Sequence, residues 1–172
     1  VAVPNEDLVE AIDSSDEWIR QRTGIITRTR AVHDTSAIDL AAAAGAEAIA
    51  TAGIDPQLID LVIVATVSNP KQTPSVSAIV ADRVGANPAA AYDVNAACAG
   101  YAYAVAQADA LIRGGAAHYA LVIGAEKLSD VVDPTDRSIS FLLGDGAGAA
   151  LIGPSDFPGI SATVWGSDGS KA

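Results

Sequence analysis

The stretch Asp93-Val94-Asn95-Ala96-Ala97-Cys98-Ala99-Gly100 decides the fold class, because it turns a predicted strand directly into a predicted helix. The strand covers residues 90–94, and the apolar helix runs on to about Arg113, where two glycines end it. The runs at 61–65 and 119–123 are short and continuously apolar, which is typical of strands buried on both faces. Strands that alternate with helices of about ten or more residues predict an α/β fold with a mostly parallel sheet.

The rest of the chain fits one layered unit over residues 1–172, without an internal repeat or an interdomain linker. This length is sufficient for one hydrophobic core. Ser36 and Gly53 are predicted to begin and end a long alanine-rich helix. Asn5 is predicted to cap a short acidic helix, and residues 160–165 are predicted to form a last strand.

The composition argues against several classes of function. Ten Lys and Arg against twenty-one Asp and Glu give a formal net charge of −11, which disfavours nucleic-acid binding because counterion release needs clustered basic residues. No apolar run reaches about 18 residues, so we expect no membrane span, and we find no pattern of a signal peptide. A single cysteine can form neither an internal disulfide nor a cysteine-cluster metal site. We therefore expect a cytoplasmic protein with no metal, nucleic-acid or membrane partner.

Cys98 is the most informative residue for chemistry. It follows a strand and falls in the first turn of the predicted helix, among small residues. The N–H groups and positive dipole end of a helix N-terminus favour the thiolate, and the same amides can donate to an oxyanion at a bound acyl carbonyl. The small neighbours leave room for an acyl chain. The residue pattern alone also allows, and somewhat favours, a buried, inert cysteine that packs as a small hydrophobe.

Trp18, Arg22 and Arg137 are candidates for binding an adenine nucleotide. An indole and a guanidinium can stack on a base, and arginines pair with phosphates. Each of the three can also be an ordinary surface residue. The glycine-rich segment 144–149 precedes a predicted strand and lacks the spacing of a dinucleotide fingerprint, so we interpret it as a turn where backbones approach closely. A generic nucleotide-binding domain is disfavoured because no phosphate loop is present.

Four motifs together resemble those of the β-ketoacyl-[acyl-carrier-protein] synthase III family, in the same order and at similar spacing. The motifs are 13–19 (DSSDEWI) with 22–25 (RTGI), 93–101 (DVNAACAGY), 133–137 (DPTDR) and 144–149 (GDGAGA). The resemblance implies a thiolase-like α/β fold, with this chain as one half of a five-layer α-β-α-β-α architecture. It also implies a cytosolic homodimer that starts fatty-acid synthesis without a cofactor. Such enzymes condense an acyl-CoA primer with malonyl-[acyl-carrier-protein] and release CoA and CO₂.

The resemblance assigns roles to individual residues. Cys98 matches the nucleophile that takes the acyl group from CoA. Trp18 and Arg137 match the residues that clasp the CoA adenine, and Arg22 matches one that meets a phosphate. Leu142 and Leu143 match the wall of the primer pocket. Many bacterial members have an aromatic residue at the position of Leu143, so a leucine suggests a roomier pocket for longer or branched primers.

The chain also departs from the family pattern. The family's catalytic His and Asn lie in C-terminal motifs of the types PHQAN and GNTSA, which are absent, and neither His33 nor His118 matches. The family's first strand, expected inside the sheet, would precede Val1. We therefore expect an N-terminal half whose remainder lies in a longer chain or in a second one. Two alternatives stay open: a polyketide starter-unit synthase or acyltransferase of the same fold, and a non-catalytic half-subunit that binds CoA or a partner.

Overall fold

The structure, a computed structural model, describes residues 1–171, so residue 172 of the predicted unit lies outside the described residues. The helices and strands in this range are β1 (Ala2–Pro4), α1 (Asp16–Thr23), β2 (Thr27–Thr29), α2 (Ala37–Ala52), β3 (Leu61–Ala65), α3 (Val76–Arg83), β4 (Ala90–Val94), α4 (Gly100–Arg113), β5 (Ala120–Lys127) and β6 (Asp145–Ile152). The predicted α/β class is therefore confirmed. β1 and β2 form a separate antiparallel pair.

The main sheet has the strand order β4-β3-β5-β6. β3 is parallel to both β4 and β5, and β6 closes the described sheet as an antiparallel strand. β3 hydrogen-bonds directly to β5, with Ile63 opposite Val122. The expectation that a strand is missing from the interior of this sheet is therefore wrong, because the described strands leave no gap.

Helices cover both faces of the sheet, as continuously apolar strands require. Alternate residues of β3 point to opposite sides, so Val62 and Val64 pack with α2 and α3, whereas Leu61 and Ile63 pack with α4. This gives a helix–sheet–helix sandwich, which is one half of the predicted five-layer arrangement.

Two local predictions are wrong. Asn5 does not cap a helix: its buried amide donates to Asp16 Oδ1 at 2.7 Å and to the Ile25 carbonyl at 2.8 Å, and Pro4 precedes the short 3₁₀ turn that starts at Asn5. Residues 160–165 form no strand and are mostly exposed. Trp165 in this segment instead packs edge-on against Tyr103, with ring centroids 5.6 Å apart.

The parallel strands end at one edge of the sheet and thereby gather the site. Ala65, the last residue of β3, lies opposite Val94 of β4 and Gly124 of β5. The segments that follow β3 and β4, and the last residues of β5, consequently lie side by side. In open α/β sheets this carboxyl edge is the usual location of ligand sites.

Candidate functional site

Cys98 lies in a 3₁₀ turn, Ala97–Ala99, which connects β4 to the first turn of α4. Its side chain is exposed, so the structure excludes the alternative of a buried cysteine. The preceding Ala97 has φ of 44°, in the left-handed region that alanine rarely adopts. Neither Ala96 nor Ala99 caps the turn or the helix with a side chain. The amide donors at this helix start are therefore not satisfied by side-chain caps, as an oxyanion site requires.

A largely apolar cavity of about 520 Å³ opens beside Cys98. It is lined by Ala65, Val67, Ala97, Cys98, Tyr101, Gly124, Ala125, Glu126, Leu128, Ile139, Leu143, Gly146, Ala147 and Gly148. This volume lies within the usual range of small-molecule sites. A cavity of this size and polarity can hold a short acyl chain next to the thiol.

Glycine at two positions allows the elements around the cavity to approach closely. A Cβ on Gly100 would lie 3.2 Å from Ala65 Cβ, and a Cβ on Gly124 would lie 3.2 Å from Tyr101 Cδ2. Both distances are shorter than ordinary carbon–carbon contacts. The start of α4 therefore packs directly on β3 and β5, and this contact fixes the position of Cys98.

The structure brings the three predicted nucleotide-binding residues together. Trp18 lies on α1, whose first turn is capped by Ser15. The guanidinium carbon of Arg22 lies 4.0 Å from the centroid of the Trp18 ring, and that of Arg137 lies 5.6 Å from it. Arg137 also pairs with Asp13 at 3.4 Å. An indole with two guanidinium groups close to it has the aromatic surface and the positive charge that suit an adenine ring and its phosphates.

The two predicted pocket leucines have different positions. Leu143 lines the cavity with Cys98. Leu142 is 49% exposed and is not among the lining residues. Ile139 lines the cavity in addition to Leu143. The segment 139–143 therefore contributes to the wall with its first and last residues.

Glu126 and Val67 also line the cavity, although neither was predicted from the sequence as a site residue. Their positions in the topology could have identified them, because Val67 comes shortly after β3 and Glu126 lies near the end of β5. The strand predicted at 119–123 ended too early to include Glu126. In the structure β5 continues to Lys127.

Asp145 was also missed as a structural anchor. Its carboxylate accepts hydrogen bonds from Ser129 N at 2.9 Å, Ser129 Oγ at 2.6 Å and Ala31 N at 2.9 Å. Burial raises the pKa of Asp145, but the bonds from Ser129 and Ala31, with the nearby charge of Lys127, outweigh this and hold the pKa below its usual value. Asp145 thus connects the start of β6 to the segments after β2 and β5.

Residues 1–171, which the structure describes, offer no site for a metal ion. No group of three or more His, Cys, Asp or Glu side chains in this range could hold a metal ion. None of the helices described there is both long and apolar enough to cross a bilayer. Neither His33 nor His118 lines the cavity beside Cys98.

Comparison with solved structures defines the class of protein. The priming β-ketosynthase of the R1128 polyketide pathway superposes with a TM-score of 0.96 at 44% identity, over 99% of this chain and 51% of that chain. β-Ketoacyl-[acyl carrier protein] synthase III from Thermus thermophilus gives a TM-score of 0.93 at 40% identity, over 99% of this chain and 53% of that chain. The chain thus has the fold of one half of a thiolase-like β-ketosynthase.

Sequence comparison narrows the class to one family. The family described as 3-oxoacyl-[acyl-carrier-protein] synthase III matches residues 92–169. β-Ketoacyl-[acyl-carrier-protein] synthase III of Kocuria rhizophila is 60% identical, over 98% of this chain and 48% of the relative. The enzyme of the same name from Streptomyces glaucescens is 51% identical, over 99% of this chain and 51% of the relative. The chain spans about half the length of these relatives, and it belongs to the β-ketoacyl-[acyl-carrier-protein] synthase III family.

Proposed function

We propose that this chain is the acyl-accepting half of a condensing enzyme that starts fatty-acid biosynthesis. The complete protein would transfer an acyl group from acyl-CoA to Cys98 and then condense it with malonyl-[acyl-carrier-protein]. The observation that carries this proposal is the exposed Cys98 thiol at an apolar cavity of about 520 Å³. The Trp18–Arg22–Arg137 cluster supports it, because an indole close to two guanidinium groups would supply a site for the CoA nucleotide.

In the first half-reaction the Cys98 thiolate attacks the acyl carbonyl of acyl-CoA. The carbon–sulfur bond to CoA breaks, and CoA leaves as a thiolate that takes up a proton. The amides at the start of α4 would stabilise the oxyanion of the tetrahedral intermediate. The acyl chain would lie in the cavity against Leu143 and Ile139. This covalent intermediate implies ping-pong kinetics.

In the second half-reaction, loss of CO₂ from malonyl-[acyl-carrier-protein] leaves a carbanion that attacks the Cys98 thioester. The products are 3-oxoacyl-[acyl-carrier-protein] and the free Cys98 thiol. The resemblance assigns stabilisation of this carbanion to a His and an Asn, and we assign both to the part of the family's length that this chain does not span. The reaction requires no cofactor, and we propose a cytoplasmic homodimer as the working form.

Priming of polyketide synthesis is the second candidate, because the R1128 priming enzyme shares the fold closely. It is less favoured, since that enzyme is 44% identical whereas the curated relatives at 60% and 51% are named synthase III. The acylation of Cys98 would be the same in both. A non-catalytic, CoA-binding half is disfavoured by the retained nucleophile and its cavity.

The test is the intact mass of the protein before and after incubation with acetyl-CoA or isobutyryl-CoA. The 17.3 kDa chain is measured alone and together with a polypeptide that supplies the rest of a family member. We expect one acyl adduct in the assembled protein, lost in Cys98→Ser, with isobutyryl-CoA competing successfully against acetyl-CoA. Absence of an adduct in an assembled, folded protein would contradict the proposal and favour a non-catalytic half.

A further inference from the structure

Glu126 lies at the junction between β5 and the segment that follows β3. Its carboxylate accepts hydrogen bonds from the backbone N–H of Val67 at 2.9 Å and of Ser68 at 3.0 Å. The hydroxyl of Thr66 donates to it at 3.3 Å, and the hydroxyl of Ser68 donates to it as well. One half-buried carboxylate thus holds three consecutive residues.

The segment 66–68 is also tied to its surroundings by other bonds. The Lys127 N–H donates to Ser68 Oγ at 2.8 Å, and the Thr66 N–H donates to the Val94 carbonyl at 3.3 Å. The side chains of Thr66 and Ser68 are buried. Val67 lies between these two anchored residues, so its backbone position depends on the anchors on either side.

Val67 is the residue of this segment that faces the cavity. It is 42% exposed, and it lines the cavity together with Cys98, Leu143 and Glu126 itself. Because the segment follows β3 without regular secondary structure, no strand ladder fixes Val67. The four hydrogen bonds to Glu126 supply that restraint.

We propose that Glu126 is a positioning residue, which holds Val67 as a wall of the acyl cavity and thereby sets the size of the acyl group beside Cys98. The inference rests on the proposed function and deepens it. A neutral glutamine has the same shape, but its NH₂ group would face backbone and hydroxyl donors and could not accept from them. Glu126→Gln therefore releases the segment, and the cavity loses its defined wall.

The test uses Cys98 as a reporter, since it is the only cysteine of the chain. The full chain is alkylated with N-methylmaleimide and N-octylmaleimide, and the ratio of the two rate constants is compared with that for glutathione. We expect the octyl-to-methyl ratio of the wild-type chain to exceed that of glutathione by about tenfold, the effect of burying roughly two methylene groups. Glu126→Gln is expected to lower this ratio about threefold or more.

Glu10→Gln, at an exposed position, is the matched control for the change in charge. Glu126→Asp retains the charge and is expected to restore part of the ratio, and it serves as the second variant if Glu126→Gln does not fold. In a Val67→Ala background Glu126→Gln is expected to have no further effect. A wild-type ratio no higher than that of glutathione overturns both the acyl cavity and this inference. A raised wild-type ratio that neither Glu126 variant changes overturns this inference alone.

Discussion

The Trp18 indole meets the Phe141 ring edge-on, with ring centroids 5.3 Å apart and planes at 84°. Phe141 is buried with Ile12 and Ile19 in a small core of its own. Ile139 and Leu143, which lie two residues before and two residues after Phe141, line the cavity beside Cys98. The aromatic contact therefore joins the candidate nucleotide-binding surface to the wall of the candidate acyl cavity. A ligand that displaces Trp18 would act on both.

Trp18→Ala is expected to weaken the binding of CoA by about tenfold or more, because stacking of a base on an aromatic ring contributes roughly 1–3 kcal/mol. The measurement is calorimetric titration of the chain with CoA. Trp165→Ala is the matched control, since Trp165 packs on Tyr103 and is not part of the Trp18 cluster. Equal CoA affinities for the two variants would contradict the assignment of Trp18.

Where local signals act within one element, the sequence predicted the fold well. Ser36 accepts a hydrogen bond from the Asp39 N–H while the Asp39 carboxylate accepts from Ser36, and Gly53 ends the same helix in the left-handed conformation. The strands at 61–65 and 90–94 have the predicted limits. The capping chemistry and the apolar runs are both contained in short stretches of sequence, so no tertiary knowledge is needed to interpret them.

The prediction failed where distant residues decide the structure. Asn5 has a good capping side chain, but in the folded chain it is buried and its amide donates to Asp16 and Ile25, which only folding brings near. Residues 160–165 have an extended pattern but no neighbouring strand to pair with in the described structure. The role of Glu126 depends on the parallel register of β3 and β5, which composition and spacing do not reveal.

Ala97→Gly is expected to stabilise the chain by about 1 kcal/mol, because an L-residue in the left-handed region costs roughly 1–2 kcal/mol that glycine avoids. The greater conformational freedom of glycine in the unfolded chain offsets part of this gain in stability. The free energy of unfolding is measured by urea titration. Ala99→Gly, at a residue with ordinary helical backbone angles, is the control and is expected to destabilise the chain. If both variants lost a similar amount of free energy of unfolding, the backbone at Ala97 would not be strained.

Gly144→Ala tests the predicted close approach of backbones in the segment 144–149. A Cβ on Gly144 would lie 2.8 Å from the Thr29 carbonyl oxygen, so the backbone must shift, at a cost of about 1–3 kcal/mol. Gly148→Ala is the matched control in the same segment, because its added Cβ meets no atom within 4 Å. Thermal unfolding of both variants makes the comparison. Equal melting temperatures would show that the close contact at Gly144 does not contribute to the stability of the fold.

Asp39 gives the chain a stability that depends on pH. The Ser36 hydroxyl, the Ser36 backbone N–H and the Arg83 guanidinium all stabilise its carboxylate, and they lower the pKa of Asp39 to about 2. In the unfolded chain the pKa is about 3.9. Because the folded state favours the ionised form, this contribution is complete above about pH 4 and is lost as the pH falls towards 2.

Asp39→Asn is therefore expected to lower the free energy of unfolding by about 1 kcal/mol at pH 7, the usual effect of losing a helix cap. The difference between wild type and variant should shrink progressively below about pH 4, since wild-type Asp39 then becomes protonated. Urea titrations at pH 7, 4 and 3 measure this difference in the free energy of unfolding. Asp34→Asn is the control, because the Asp34 side chain is exposed and, among the described residues, pairs only with the exposed His33. A difference that stays constant down to pH 3 would show that the charge of Asp39 does not stabilise the start of α2.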